Sequence, residues 1–411
     1  MKIKNNIMEI MLLIGVLALL FHSNDPIMHN DSPRYINGSL IDPPIFYTVI
    51  NIMLSLFGTL KSVIVLQTLF VGFSIAYFTK TMSDIFNLDN LIKILISLFL
   101  FLPIIKFYDS ILTETLGYAF SLLFVSFVVK LICNFNSQNL FWSTVFVVVL
   151  LLLRKQFVFL YPLILILYLG IFILNKSKKT FTWLTICFLS IFLIPSSLIS
   201  LNNYANLNSS DKKIYQDFDG YGPFYFTYID SIYISTTKDA KLFENQNVRK
   251  TLTKIFEEMN NQRALVKYYD GRGHFGLSFA TIRNHSHIQL INLASQENTT
   301  VSDLKKKISV TLISANFGKY VKQIFKKFYD TTWLFVFIPF FMLLAGLICF
   351  LKNKSHFSLI TIFISTFTLG NHSIVYLFGR VQPRYLIYSD FILLVFIFIL
   401  FSVFLQKKNE I

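Results

Sequence analysis

Long apolar runs recur along most of this chain, and no other feature constrains its fold as strongly. The first is Ile7 to Phe21. Others follow at Leu60–Phe78, Leu91–Phe107, Leu116–Cys133, Phe141–Leu153, Phe157–Leu174, Phe181–Leu201, Trp333–Leu351, Phe357–Phe378 and Leu386–Leu405. A helix that crosses a bilayer needs about 20 apolar residues, because the hydrocarbon core is about 30 Å thick. In lipid each backbone polar group must be satisfied inside its own segment, so such runs become helices. The pattern predicts an all-α polytopic membrane protein of about ten transmembrane helices. A further run, Ile45 to Phe57, is short and predicts a re-entrant or interfacial helix.

Composition excludes the alternatives. Hydrophobic residues make up 54% of the 411, charged residues only 14%, and Phe alone contributes 46. A soluble domain carries roughly a quarter charged residues, and a disordered chain is poor in aromatics. The formal charge, 37 − 22 = +15, could suggest nucleic acid. Its placement argues otherwise, since much of it lies in short loops between apolar runs, where Lys and Arg set topology. No nucleic-acid partner is expected. Cys133, Cys187 and Cys349 all fall within apolar runs, so no disulfide framework is expected.

Charge also orients the spans. With both termini cytoplasmic, the inner loops and span ends carry Lys2, Lys4, Lys80, Lys93, Lys130, Lys176, Lys178, Lys179, Lys352, Lys354, Lys407 and Lys408. The short outer loops carry Arg34, Lys61, Lys106, Arg154, Lys155, Arg380 and Arg384. The Lys excess inside follows the positive-inside rule. Topology does not explain why arginine is confined to the outer side, and arginine is the better residue for holding phosphate. Lys2 and Lys4 before the first run resemble the start of a signal peptide, but no small-residue cleavage site follows, so an uncleaved first span is expected.

The domain plan is a membrane module over residues 1–201, with an informative first outer loop at 22–59. An extracytoplasmic domain of mixed secondary structure spans 202–331, between spans 7 and 8, and C-terminal membrane helices occupy 332–411. Within the outer domain, amphipathic helices are expected over Asn247–Tyr268 and Ser302–Tyr329, the second capped by Thr300 or Ser302 with Asp303 in its first turn. The end of the second helix has an apolar stripe and a basic face, which suits a membrane surface.

Chemistry is expected at the outer ends of the spans. The first outer loop reads Asn30-Asp-Ser-Pro-Arg-Tyr35, then Asp42-Pro-Pro-Ile-Phe-Tyr47. Asp31 beside Arg34 and Tyr35 sits where water meets lipid. Glu114 falls at the start of an otherwise apolar span, a depth at which an ionised group normally turns inward and takes a partner. Arg154 and Lys155 break a long apolar stretch and mark an outer turn; a purely topological turn would look the same. Arg380, Arg384 and Tyr385 occupy the last outer loop, with Asp390 on the following span. Two guanidinium forks so near lipid suit phosphate or pyrophosphate. His274, His285 and His287 lack a helical metal-ligand spacing. Gly271-Arg-Gly-His-Phe-Gly276 has no preceding strand to make it a nucleotide loop.

Asp31-Ser-X-X-Tyr35 followed by Pro43-Pro-X-X-Tyr47 resembles the first outer loop of GT-C-fold glycosyltransferases, the lipid A aminoarabinose transferases and protein O-mannosyltransferases among them. The resemblance continues, in order, at Thr113-Glu114, Leu153-Arg154, Ala315-Asn-Phe-Gly-Lys-Tyr320 and Arg384-Tyr385. It implies an inverting transfer of a sugar from a polyprenyl-phosphate donor to an extracytoplasmic glycan, lipid or protein acceptor, in a bacterial plasma membrane. Catalytic roles would fall to Asp31, as base, and Glu114. Arg34, Tyr35, Tyr47, Arg154, Lys155, Arg380, Arg384 and Tyr385 would bind substrate and phosphate. No cofactor is required by the sequence, and Glu114 could help hold a divalent metal. Two other readings stay open: a polymerase or ligase acting on pyrophosphate-linked glycans, and a transporter of lipid-linked sugars.

Overall fold

The computed structural model describes residues 7–22, 25–29, 32–37, 44–207, 225–265, 275–378 and 383–409. Among them no strand forms; one isolated parallel bridge joins Ile27 and Ser110. The chain is all-α. Among the described residues, seven helices are long and apolar enough to cross a membrane: Lys61–Phe86, Thr113–Cys133, Lys155–Asn175, Lys178–Leu201, Val336–Asn353, His356–Leu377 and Arg384–Gln406. Three of the ten expected spans are shorter, at 16, 16 and 17 residues: α1 (Ile7–His22), α5 (Asn90–Ile105) and α7 (Ser137–Leu153). The run judged too short to span is helix α3 (Pro44–Phe57), whose 14 residues cover about 21 Å.

The chain divides into two compact units, each considered by itself. The first comprises Met1–Tyr204, Phe337–His372 and Gln382–Ile411. Its central element is α6 (Thr113–Cys133), apolar on all sides and buried almost throughout. Helices α4 (Lys61–Phe86), α7 and α16 (Pro383–Asn409) pack against it. Small residues allow close approach: an added Cβ on Gly117 would lie 2.8 Å from the Tyr388 ring, and one on Gly72 would lie 2.6 Å from Val16 of α1. In lipid, such packing and interhelical hydrogen bonds hold helices together, since lipid tails are as apolar as leucine. One such bond runs from the Tyr118 hydroxyl of α6 to the Leu100 carbonyl of α5, at 3.0 Å.

Local chemistry sets the helix ends. Asp89 caps α5 by accepting from the Ile92 amide, and Asn136 caps α7 by accepting from Asn139. Helix α4 runs past the expected end at Lys80 to Phe86, because Thr81, Met82 and Ser83 are buried by protein there, and left-handed Asn87 stops it. Lys176, also left-handed, stops α8 (Leu160–Asn175). The spans Lys178–Leu201, in α9 (Lys178–Leu207), and Val336–Asn353 are only 17% buried. So much exposed apolar surface suits a lipid solvent.

The second unit comprises Ala205–Val336 and Ser373–Val381. In place of the mixed domain expected here, helices are the only regular elements among the described residues. It contains α10 (Tyr225–Ile234), α11 (Gln246–Asn261), α12 (Phe275–Gln296) and α13 (Val301–Ala315), with their own core around Tyr228, Leu252, Phe256, Ile282 and Ile308. Helix α11 ends seven residues before the expected Tyr268, because Arg263 turns left-handed and the Ala264 amide closes on the Met259 carbonyl. The single helix expected over Ser302–Tyr329 is two. Thr300 caps the first through the Asp303 amide, as the sequence suggests. Asn316 then ends it, its side chain donating to the Leu312 carbonyl, and α14 (Phe317–Asn353) begins. A buried ion pair, Lys327 to both oxygens of Asp230 at 2.8 and 2.7 Å, joins α14 to α10. Burial raises the Asp230 carboxyl above the usual aspartate range, and the Lys327 ammonium opposes that rise.

Candidate functional site

Four separate stretches of the first unit meet at one end of α6. The α5–α6 loop is held to the first outer loop by backbone bonds from Ile27 N to Asp109 O (2.8 Å) and Ile111 N to Ile27 O (3.3 Å). Ser32, which opens the short helix α2 (Ser32–Ile36), adds a side-chain tie, its hydroxyl donating to the Ile111 carbonyl at 2.9 Å while accepting from the His29 amide at 2.8 Å. The His29 ring and the Ser110 hydroxyl share a further bond of 3.0 Å. The residue that follows Asp31 is therefore fixed three positions from Glu114. Asp31, Arg380 and the side chain of Arg34 lie outside the described residues, as do Asp217, Asp219, Asp270, His274 and the glycine-rich Gly271–Gly273.

Glu114 occupies the first turn of α6 and is 1% exposed. Its Oε1 lies 3.2 Å from Arg154 Nη1 and 3.3 Å from Arg384 Nε. Arg154 is extended at the end of α7, and its Nη1 also donates to the Thr113 hydroxyl at 3.0 Å and to the Tyr388 hydroxyl at 2.7 Å. Tyr385 lies against both cations. Its ring centre is 4.5 Å from the Arg154 guanidinium carbon and 5.0 Å from that of Arg384, and its hydroxyl accepts from Arg384 Nη2 at 3.0 Å. Tyr35 is close enough to Arg154 to interact with it electrostatically. Its ring packs edge-on against Phe46 of α3, at 5.3 Å between centroids. Ile111, Leu112, Leu116 and Leu153 complete an apolar wall with these rings.

The structure thus brings together Tyr35, Glu114, Arg154, Arg384 and Tyr385 of the sequence-derived set. Lys155 is exposed at the start of a 3-10 helix, Lys155–Phe159, outside the contacts just described. Tyr47 is 37% exposed on α3 and joins none of the described contacts of the cluster. Phe46 takes the inward position instead, because neighbouring residues on a helix point about 100° apart. Among the described residues, no group of three or more His, Cys, Asp or Glu side chains could hold a metal ion.

Sequence reasoning missed the support behind the arginines. Tyr388 lies one helical turn beyond Tyr385, a spacing that puts both on one face. Asn371 and His372 form a polar pair inside α15 (His356–Phe378), and both are fully buried. Asn371 heads an Asn-X-Ser sequence, and its burial removes it as a glycosylation site. His372 Nε2 and Asp390 Oδ1 are 2.6 Å apart. Asn371-His372 opposite Asp390 is the signal that could have revealed this layer, since polar residues within spans normally have a partner and a function.

In chemical terms, one carboxylate faces two guanidiniums, an excess of one positive charge among these three groups in a half-buried, aromatic-lined corner. Fork-shaped donors at that spacing bind a phosphate oxygen well. No protein-family model, curated protein or solved structure matches this chain.

Proposed function

We propose that this protein is a GT-C-type membrane glycosyltransferase. It takes a sugar from a polyprenyl-phosphate carrier and passes it to an extracytoplasmic glycan, lipid or protein acceptor. The observation that carries the reading is the pairing of Arg154 and Arg384 across Glu114, next to the point where the first outer loop is tied down at Ser32. In this reading an acceptor hydroxyl attacks the anomeric carbon. The bond from that carbon to the phosphate oxygen breaks, the phosphate leaves with the electron pair, and Asp31 takes the hydroxyl proton. Displacement of this kind inverts the anomeric centre. Arg154 and Arg384 stabilise the charge growing on the departing phosphate, an effect that is strongest where water is excluded. Glu114 holds the two guanidiniums in register and stops them repelling each other. The two guanidiniums already on Glu114 do not fit a divalent cation beside it, so no metal enters this proposal.

About ten spans, both termini in the cytoplasm, and a site on the outer face of a bacterial plasma membrane belong to the same proposal. The test is a membrane assay with a panel of labelled polyprenyl-phosphate sugars. Loss of Asp31 as base, in Asp31→Asn, should slow transfer by about 10²–10⁴-fold while leaving the protein inserted. An Asp31→Asn protein that transfers sugar at the normal rate sinks the assignment. A polymerase or ligase would instead use pyrophosphate-linked glycans and tolerate Asp31→Asn. The buried His372–Asp390 pair favours a transporter, which would move labelled lipid-linked sugar across vesicles without transferring it.

A further inference from the structure

We propose that Asn371 is a positioning residue that sets the spacing of Arg154 and Arg384, and so the phosphate affinity of the site. This rests on the reading above. Arg154 lies two residues before Gln156, and Arg384 immediately precedes Tyr385, so each arginine is carried on a different chain segment. Asn371, on a third segment, joins both. Its Nδ2 donates to the Tyr385 carbonyl at 3.1 Å and to the Ser389 hydroxyl at 3.0 Å. Its Oδ1 accepts from Gln156 Nε2, which also donates to the Tyr385 carbonyl, at 2.7 Å. The three groups form a closed ring of hydrogen bonds that ties together the segments carrying the two arginines.

The next residue tightens the grip. His372 bonds Asp390, whose Oδ1 also accepts from the Ser389 hydroxyl at 3.2 Å. Helix α15 therefore holds α16 at two successive positions. A primary amide is the group this joint needs. It offers donors toward two oxygens and an acceptor toward a third amide, without introducing charge into a fully buried position. Unmade hydrogen bonds at such depth are expensive, so the ring has one arrangement and transmits it to the arginines.

The experiment is equilibrium binding of geranylgeranyl phosphate to the full chain in detergent micelles, with geranylgeraniol and inorganic phosphate as separate arms. Binding of the phosphate lipid but not the alcohol assigns the affinity to the phosphate, and the inorganic arm separates a lipid headgroup from free phosphate. Wild type is compared with Asn371→Ala, Gln156→Met, Arg384→Lys and the double variant Asn371→Ala/Arg384→Lys. Asn371→Ala should weaken binding by about tenfold in wild type and by less than about twofold in the Arg384→Lys background, because both act through the same fork. Gln156→Met opens the ring from its other side and should give the same loss; it carries the test if Asn371→Ala does not fold. Unchanged affinity in Asn371→Ala, or losses that multiply with Arg384→Lys, overturn this inference and leave the functional reading standing. A wild-type chain that does not bind the phosphate lipid overturns both.

Discussion

Glu114 illustrates how one residue can decide whether a membrane site is tenable. It is 1% exposed and faces two cations whose side chains are 16% and 19% exposed. Two like charges in a corner of low dielectric repel strongly unless a counter-charge separates them. Removing one member of a buried ionic group leaves the others uncompensated and typically destabilises by about 3–5 kcal/mol. Glu114→Gln keeps the shape and loses the charge, so its thermal unfolding should show a loss of about that size. A loss under about 1 kcal/mol would mean that the carboxylate is not the counter-charge of this cluster. Tyr385 softens the same repulsion through its ring face, against which both guanidiniums lie.

At the scale of elements, the contact between α6 and α16 governs the site. Gly117 has no side chain where the Tyr388 ring passes, and the Tyr388 hydroxyl accepts from Arg154. A methyl group at 117 would come within 2.8 Å of that ring, which must then shift. Gly117→Ala should destabilise by about 1–3 kcal/mol, the usual result of overpacking. It should also weaken phosphate-lipid binding, although residue 117 touches no ligand. Unfolding and binding measured on the same preparation check both effects. The surrounding glycines show where the bundle is tightest: Gly170 meets Leu359, and Gly370 meets Phe159, each within 2.6 Å of an added Cβ.

For the whole molecule, the central question is which side of the membrane the cluster faces. The Lys-rich ends at Lys176, Lys178 and Lys179 follow the span Lys155–Asn175, and the arginine cluster adjoins its other end. In the proposed topology, positive-inside placement would put Lys155 outside and Lys178 inside. After replacement of Cys133, Cys187 and Cys349 by alanine, a cysteine at position 155 should react with a membrane-impermeant maleimide in intact cells. A cysteine at position 178 should react only after permeabilisation. The reverse labelling pattern would put the cluster on the cytoplasmic side and remove the extracytoplasmic acceptor from the proposal.

Much of the architecture was legible without coordinates, because its causes are local. Apolar runs specify spans, since lipid leaves the backbone no partner but itself. Short polar side chains specify caps, as at Asp89, Asn136 and Thr300. Glu114 and Arg154 stood out for the same local reason, being charges where charge is costly. Their meeting was not legible. Arg154 reaches Thr113, 41 residues away, and Tyr388, 234 residues away, through contacts that no spacing encodes. The break at Asn316 and the early stop at Arg263 were also hidden, since a side-chain bond and one left-handed residue outweighed an apolar periodicity that continues beyond them. The sequence by itself determined that this is a helical membrane protein with arginines and acids at its span ends. Only the tertiary structure decided which of them share a site, and that Asn371 bonds the segments that carry the two arginines, because helix packing in lipid depends on shape and pairwise hydrogen bonds across distant segments.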